Sequence, residues 1–158
     1  MNITIERFQP RDTAAVLALL GEFAEYENLT KHLEVTEKRI EAAFFDEGST
    51  VEGLVARSGS DLIGYAFFFP NFASFRGQRG FYLEDIYVTE HARGKGVGEA
   101  LLRELARLAE SRGYERVDFL VLDWNESAIR FYKKLGAEMD HSERHFKFTD
   151  RAFRDLAT

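Results

Sequence analysis

The sequence predicts an α/β fold: a mixed central sheet with flanking helices, in the order β-α-α-β-β-β-α-β-α-β. Three observations carry that reading. Stretches that alternate apolar and polar residues are interleaved with stretches whose apolar residues recur at helical spacing. One strand runs through three glycines, Gly94, Gly96 and Gly98, straight into an amphipathic helix. The strand after that helix has a continuous apolar run, Phe119-Leu120-Val121-Leu122, which suits burial on both faces and a parallel pairing. At 158 residues the chain suits one domain over residues 1–158, and its 15 Phe should supply much of the core.

The elements follow in order. Ile3, Ile5 and Phe8 mark a first strand, broken at Pro10-Arg11-Asp12. Asp12 is a candidate N-cap for a helix bearing Val16, Leu19, Leu20 and Phe23 at helical spacing. The stretch from Tyr26 to Val35 is polar and irregular, and Thr36 can cap a second helix carrying Ile40, Ala43 and Phe44. Val51 to Arg57 and Leu62 to Phe69 read as an antiparallel hairpin around Ser58-Gly59-Ser60-Asp61. Asn71 to Arg79 reads as a loop and Gly80 to Val88 as a strand. A helix from about Gly96 to Arg112 carries Val97, Leu101, Leu105 and Leu108 on one stripe and ends at Gly113. Val117 to Leu122 is a strand, Asn125 to Leu135 a capped helix stopped by Gly136, and His145 to Phe148 a short last strand.

Composition narrows the function classes. A net charge of -6 and a pI near 5.3 give no pull toward nucleic acid or an anionic membrane. With no cysteine there is no disulfide, thiolate metal site or Cys nucleophile. The segment Met1 to Arg7 is charged where a leader needs an apolar stretch, so a cytoplasmic location is expected. No apolar run approaches 18 residues. Of His32, His91, His141 and His145, only the last two are close, in a turn-and-strand region rather than on one helix face. No metal site is expected.

Glycines admit positive φ and close approach of a ligand to the backbone. The first N–H groups of the following helix point outward at its positive end, so the Gly94–Gly98 turn suits a pyrophosphate. Arg93 and Lys95 add positive charge. A phosphate-binding loop of the Gly-x-x-x-x-Gly-Lys type is absent, and the dinucleotide fingerprint fails because Glu99 stands where its third glycine belongs. A plain flexible turn remains the competing reading. In the same way, Glu84 and Asp85 interrupt an aromatic strand, Phe81 to Val88, where alternation puts Glu84 with Tyr82 and Ile86, and Asp85 with Leu83 and Tyr87. They are either structural or a base beside a reacting amine. Tyr132 lies off the Ala128, Phe131 and Leu135 stripe of its helix and is either a packing residue or an acid.

These strings resemble one family. Arg93-x-x-Gly96-x-Gly98 resembles the signature turn of the GNAT superfamily of N-acetyltransferases, and Asn125-x-x-Ala128-x-x-Phe131-Tyr132-x-x-Leu135-Gly136 resembles its later helix. The resemblance implies the GNAT fold and acetyl-CoA as cosubstrate, without a metal. It implies that the amides of Arg93, Gly94, Lys95, Gly96, Val97, Gly98 and Glu99 hold the pyrophosphate. The backbone of Ile86, Tyr87 and Val88 would run beside the pantetheine arm, with Asn125, Ser127 and Ala128 also on the cofactor and Tyr132 as general acid.

Within the superfamily, Tyr82-Leu83-Glu84-Asp85-Ile86-Tyr87-Val88, Val121-Leu122-Asp123-Trp124-Asn125 and Glu25-Tyr26-Glu27 resemble the diamine acetyltransferases, the spermidine/spermine and thialysine enzymes. That implies a homodimer, a ternary-complex mechanism, Glu84 as base and Tyr26, Glu27, Glu84 and Ser74 on the substrate. The loop departs from the polyamine pattern: Ser74 stands near an acidic position, and Arg76 and Arg79 would repel a polycation. The expected substrate is therefore a small primary amine, thialysine- or diamine-like. A GNAT acting on a protein lysine, an N-terminus or an antibiotic, or a non-catalytic acyl-CoA sensor, are the alternatives.

Overall fold

The structure, a computed structural model, describes residues 2–158. Two compact units make up the chain, one ending at Leu120 and the other running Val121–Thr158. The first holds a sheet of five strands in sequence order: β1 (Ile3–Arg7), β2 (Glu52–Ser58), β3 (Asp61–Ala73), β4 (Gln78–Val88) and β5 (Arg116–Asp118). The first four pair antiparallel, and β5 pairs parallel to β4 after a helical crossover.

The sheet is covered on both faces, which is why its central strands are apolar on both. On one side α3 (Val97–Ser111) lays Val97, Leu101, Leu105 and Ala109 against Leu54, Ala56, Ile63, Ala66, Phe68, Phe81 and Leu83. On the other, α1 (Thr13–Tyr26) and α2 (Glu37–Phe45) bring Val16, Leu19 and Ile40 onto Phe8, Val55, Tyr65, Phe67 and Tyr87. Aromatic rings dominate this second layer: Phe44 sits 4.4 Å from Phe67 and Tyr65 4.7 Å from Phe67, centroid to centroid.

Several local expectations shift. Thr36 caps α2 as expected, its hydroxyl accepting from the Arg39 amide at 3.2 Å. Asp12 does not cap α1; its carboxylate accepts from the Gln9 amide and pairs with Arg57, which keeps this buried charge compensated. The expected loop from Asn71 to Arg79 is hairpin instead. The ladder continues to Ala73 opposite Gln78, leaving a tight turn with Gly77 at φ +62. The fifth strand stops at Asp118, so the apolar run after it is not buried on both faces: Leu120 is 58% exposed.

The second unit contains α4 (Glu126–Lys134) and α5 (Asp150–Leu156). Asn125 caps α4 by accepting from the Ala128 amide at 3.2 Å, and Gly136 takes φ +94 after it. The expected last strand at His145 to Phe148 is not formed, because no strand among the described residues offers it a ladder; Phe146 and Phe148 are exposed. Among the described residues no helix is long and apolar enough to cross a membrane.

The parallel contact of β4 with β5 depends on a glycine. A Cβ at Gly80 would collide with the carbonyl oxygen and Cγ of Arg116, its ladder partner. Gly80→Ala should cost about 1–3 kcal/mol by overpacking, a Tm drop of roughly 3–10 °C at this chain length. Gly21→Ala, in α1 with open space around it, should leave Tm unchanged or raise it. Thermal melts of the two variants beside the parent check this, and equal melting of Gly80→Ala and parent would exclude the tight approach.

Candidate active site

The site begins where β4 loses a neighbour. The parallel ladder runs only from Gly80↔Arg116 to Tyr82↔Asp118, whereas β3 pairs with β4 as far as Val88. From Leu83 to Val88, β4 therefore has one edge with no strand on it among the described residues. Such an edge presents unpaired N–H and C=O groups in a row, a template for an extended amide-bearing ligand. Ile86, Tyr87 and Val88 lie on this stretch.

Immediately beyond it lies the glycine turn. Gly94 and Gly96 adopt φ of +72 and +83, a left-handed backbone that residues with a Cβ rarely take. Gly96 is the N-cap of α3, while Gly98 sits inside its first turn. Space around Gly94 and Gly96 is open, since a Cβ at either would meet no atom within 4 Å. Arg93, Lys95 and both turn glycines are exposed, and Glu99 at the helix start is paired by Arg103, whose Nε and Nη2 donate to one carboxylate oxygen at 2.9 and 2.6 Å. Accessible amides, a positive helix end and a neutralised acid suit a pyrophosphate.

Arg93 does more than add charge. Its Nε donates to the Val88 carbonyl at 3.0 Å and its Nη2 to the Tyr87 hydroxyl at 3.3 Å. The guanidinium stacks 4.6 Å from the Tyr26 ring and 5.4 Å from that of Tyr87. Tyr87 in turn donates to Glu22 at 3.2 Å. The end of α1, the end of β4 and the glycine turn are thus joined through one side chain.

The acidic pair departs from simple alternation. Phe68 pairs with Leu83 and Phe67 with Asp85, so Glu84 is an extra residue in β4. The bulge changes the parity of the strand. Phe81 and Leu83 face the α3 layer before it, Ile86 and Val88 face that layer after it, and Asp85 lies on the opposite side with Tyr87. Glu84 itself is exposed. Asp85 is mostly buried, and burial, then the charges of Glu84 and Glu27, push its carboxyl from 3.8 up to about 7. A carboxyl raised in this way holds its proton more tightly folded than unfolded, so it lowers stability as pH rises from about 4 through 7. Glu27, at the end of α1, is also raised by burial.

Asp85 lines a groove of about 400 Å³ walled by Leu20, Val35, Ile40, Phe44 and Phe67, with His32, Glu34 and Arg39 exposed among its lining residues. Sequence reasoning left the role of Asp85 open, because the bulge that turns it inward is a pairing property. It passed over Tyr65, whose hydroxyl is the sole polar side-chain group in the run Tyr65-Ala66-Phe67-Phe68-Phe69, the one signal that was there to find. Of the other expected residues, Tyr26 and Glu27 lie at the end of α1, whereas Ser74 is in the exposed β3–β4 turn and is not among the groove's lining residues. Arg76 is exposed in the same turn, and Arg79 is turned onto Tyr114, donating to its hydroxyl at 3.1 Å and stacking 4.9 Å from its ring. The second unit carries Asn125 at the N-cap of α4, Ser127 and Ala128 in its first turn and Tyr132 nearer its end, with the Phe131 and Tyr132 rings 5.2 Å apart. No group of three or more His, Cys, Asp or Glu among the described residues could hold a metal ion.

Known proteins share both the sequence and the architecture. The profile of the Acetyltransferase (GNAT) family matches residues 14–137. A thialysine N-epsilon-acetyltransferase of Sus scrofa is 32% identical over 167 residues, covering 99% of this chain and 98% of the relative. An L-ornithine N5-acetyltransferase of Arabidopsis thaliana is 42% identical over 95 residues, covering 60% of this chain and 42% of the relative. Among solved structures, an integron cassette protein from the mobile metagenome of V. cholerae superposes with a TM-score of 0.82 at 24% identity, covering 99% and 98% of the two chains. The match covers the bulged strand, the left-handed glycine turn and the helix it opens, and with it the chain belongs to the GNAT family of acetyltransferases.

Proposed function

We propose that this acetyltransferase moves the acetyl group of acetyl-CoA to the primary amine of a small molecule, thialysine- or diamine-like, by direct attack in a ternary complex. The observation that carries the reading is the unpaired edge of β4 leading directly into the left-handed glycine turn, an amide-binding edge followed by an anion-binding helix start. The cofactor fits both: amides from Arg93 to Glu99 would hold its pyrophosphate, and backbone groups of Ile86 to Val88 would hydrogen-bond the pantetheine amides. By the family resemblance, Asn125, Ser127 and Ala128 would also contact the cofactor. When bound, acetyl-CoA supplies an activated thioester whose C–S bond breaks as the C–N bond forms.

The chain's residues handle the protons. A lysine-like amine has a pKa of about 10.4, so freeing it at pH 7 costs roughly 4–5 kcal/mol. Glu84, exposed on the bulge, would take that proton directly or through a water, and Tyr132 would donate one to the leaving thiolate. Tyr26 and Glu27 at the end of α1 would meet the substrate. The preference for a thialysine-like acceptor is supported by the relatives' activities rather than by Arg76 or Arg79, since Arg79 is engaged by Tyr114. Phe146, Phe148, Phe153 and Leu156 are each exposed, and large apolar side chains left open to solvent support self-association into a dimer.

Three measurements test this reading. Thiol release from acetyl-CoA against thialysine, ornithine, spermidine and a lysine peptide should show the amino acids turned over with the highest kcat/KM; a tenfold preference for spermidine or for the peptide would overturn the acceptor class. Gly96→Val forces a β-branched residue toward φ +83 without a packing clash, so calorimetric CoA affinity should fall roughly 10–100-fold through misdirected amides. Unchanged affinity in the folded variant would remove the pyrophosphate assignment. Glu84→Gln should lose most activity near pH 7 and progressively less toward the amine pKa, because only amine already neutral then reacts. A loss uniform with pH would mark Glu84 as structural.

A further inference from the structure

The last turn of α1 runs into an exposed, polar stretch: Glu25 and Tyr26 are exposed, and Asn28 turns the chain at φ +58. Helix ends of this kind fray unless something holds them. Glu22 and Tyr26, one helical turn apart, lie on the same face of α1, and both meet the same pair of residues. Glu22 accepts a hydrogen bond from the Tyr87 hydroxyl at 3.2 Å, and the Tyr26 ring lies 4.6 Å from the Arg93 guanidinium. The Tyr87 hydroxyl in turn accepts from Arg93 Nη2 at 3.3 Å, while Arg93 Nε donates to the Val88 carbonyl at 3.0 Å. The residue after Arg93 is Gly94, where the left-handed turn begins.

Tyr87 is the fixed point of this bridge. Its residue is buried, with the ring 5.2 Å from that of Phe23 on α1, centroid to centroid. Burial raises its phenol above the ordinary value, the Arg93 charge beside it lowers it and Glu22 raises it again. The hydroxyl therefore keeps its proton, and it donates to Glu22 while accepting from Arg93. A phenylalanine would fill the same space, so packing accounts for the ring and leaves the hydroxyl unexplained.

We propose that Tyr87 is a positioning residue that couples the two substrate sites: through its hydroxyl, ordering of the glycine turn on acetyl-CoA also orders the last turn of α1, so that cofactor and amine bind cooperatively. The inference rests on the acetyltransferase reading above and adds how its two substrates assist each other's binding. The basis is conformational entropy. Arg93 is exposed, and holding its long side chain in the bridge costs rotamer freedom. Fixing the backbone from Arg93 to Glu99 on a pyrophosphate also fixes the base of that side chain. The bridge then forms at lower cost, and the α1 end is already ordered when the amine arrives. By linkage the amine tightens the cofactor by the same factor.

The test is a pair of calorimetric titrations, thialysine into the protein alone and into the protein saturated with CoA, which binds without turnover. In the parent, CoA should tighten thialysine binding by about fivefold or more, within the range of roughly 5–150-fold usual for coupled sites. Tyr87→Phe and Glu22→Ala should each bring that ratio to about twofold or less, and the double variant should lose no more than either single one. Glu22→Gln, whose side-chain carbonyl still accepts from the hydroxyl, should keep most of it. A residue that only supports the fold would shift Tm or both affinities and leave their ratio alone. A second arm needs no amine: CoA should slow amide hydrogen exchange in residues 23–27 of the parent and not of Tyr87→Phe. Equal ratios in parent and Tyr87→Phe, a parent ratio near one, or exchange in this turn that ignores CoA would overturn the coupling and leave the acetyltransferase reading standing. If no amine gives thiol release, the acceptor reading fails, and the exchange arm still decides the coupling.

Discussion

Much of this molecule's chemistry depends on a single extra residue in one strand. Glu84 breaks the register of β4 against β3, and two residues earlier β4 loses its ladder with β5. A regular strand would pair on both edges and would send Glu84 and Asp85 to opposite faces of a closed sheet. The bulge leaves one carboxyl exposed and sends the other into the aromatic layer under α1 and α2. The lost pairing frees the edge along which an extended cofactor arm can lie. An opening in the sheet and an acid beside it thus have the same origin.

The glycine turn then continues that edge with accessible helix amides. Its left-handed residues let α3 start with its amides exposed, while the stripe of Val97, Leu101 and Leu105 anchors the helix onto the sheet. The anchoring matters because a helix end holds an anion only as firmly as the helix itself is held. Arg93 extends the same rigidity sideways. By bonding to Val88 and Tyr87 and stacking on Tyr26, it ties the glycine turn to the end of α1, where Glu27 also lies.

Electrostatics divides the two acids by environment rather than by type. Both are carboxylates adjacent in sequence, yet Glu84 remains in contact with solvent while Asp85 is lifted to about 7 by burial and by its acidic neighbours. The protein tolerates that cost, together with an unsatisfied Tyr65 hydroxyl, in a largely apolar layer that includes Val16, Leu19, Val55 and Phe67.

The local elements were legible in the sequence because their causes are local. The Thr36 and Asn125 caps, the glycine stops at Gly113 and Gly136, the apolar stripe of α3 and the strand–glycine–helix turn are each set by neighbours within a few residues, and the family resemblance rested on similarly local strings, among them that turn and the Asn125–Gly136 segment. What depended on distant partners was not legible. Asp12 was taken by Arg57 from β2, the Asn71 to Arg79 stretch became hairpin through strand pairing, and the apolar run after Asp118 found no second neighbour. The face of Asp85 was decided in the same way, since a bulge exists only relative to the strand opposite, and so was the isolation of Tyr65. Periodicity along a chain says which residues can share a face, but register across a sheet decides which of them do.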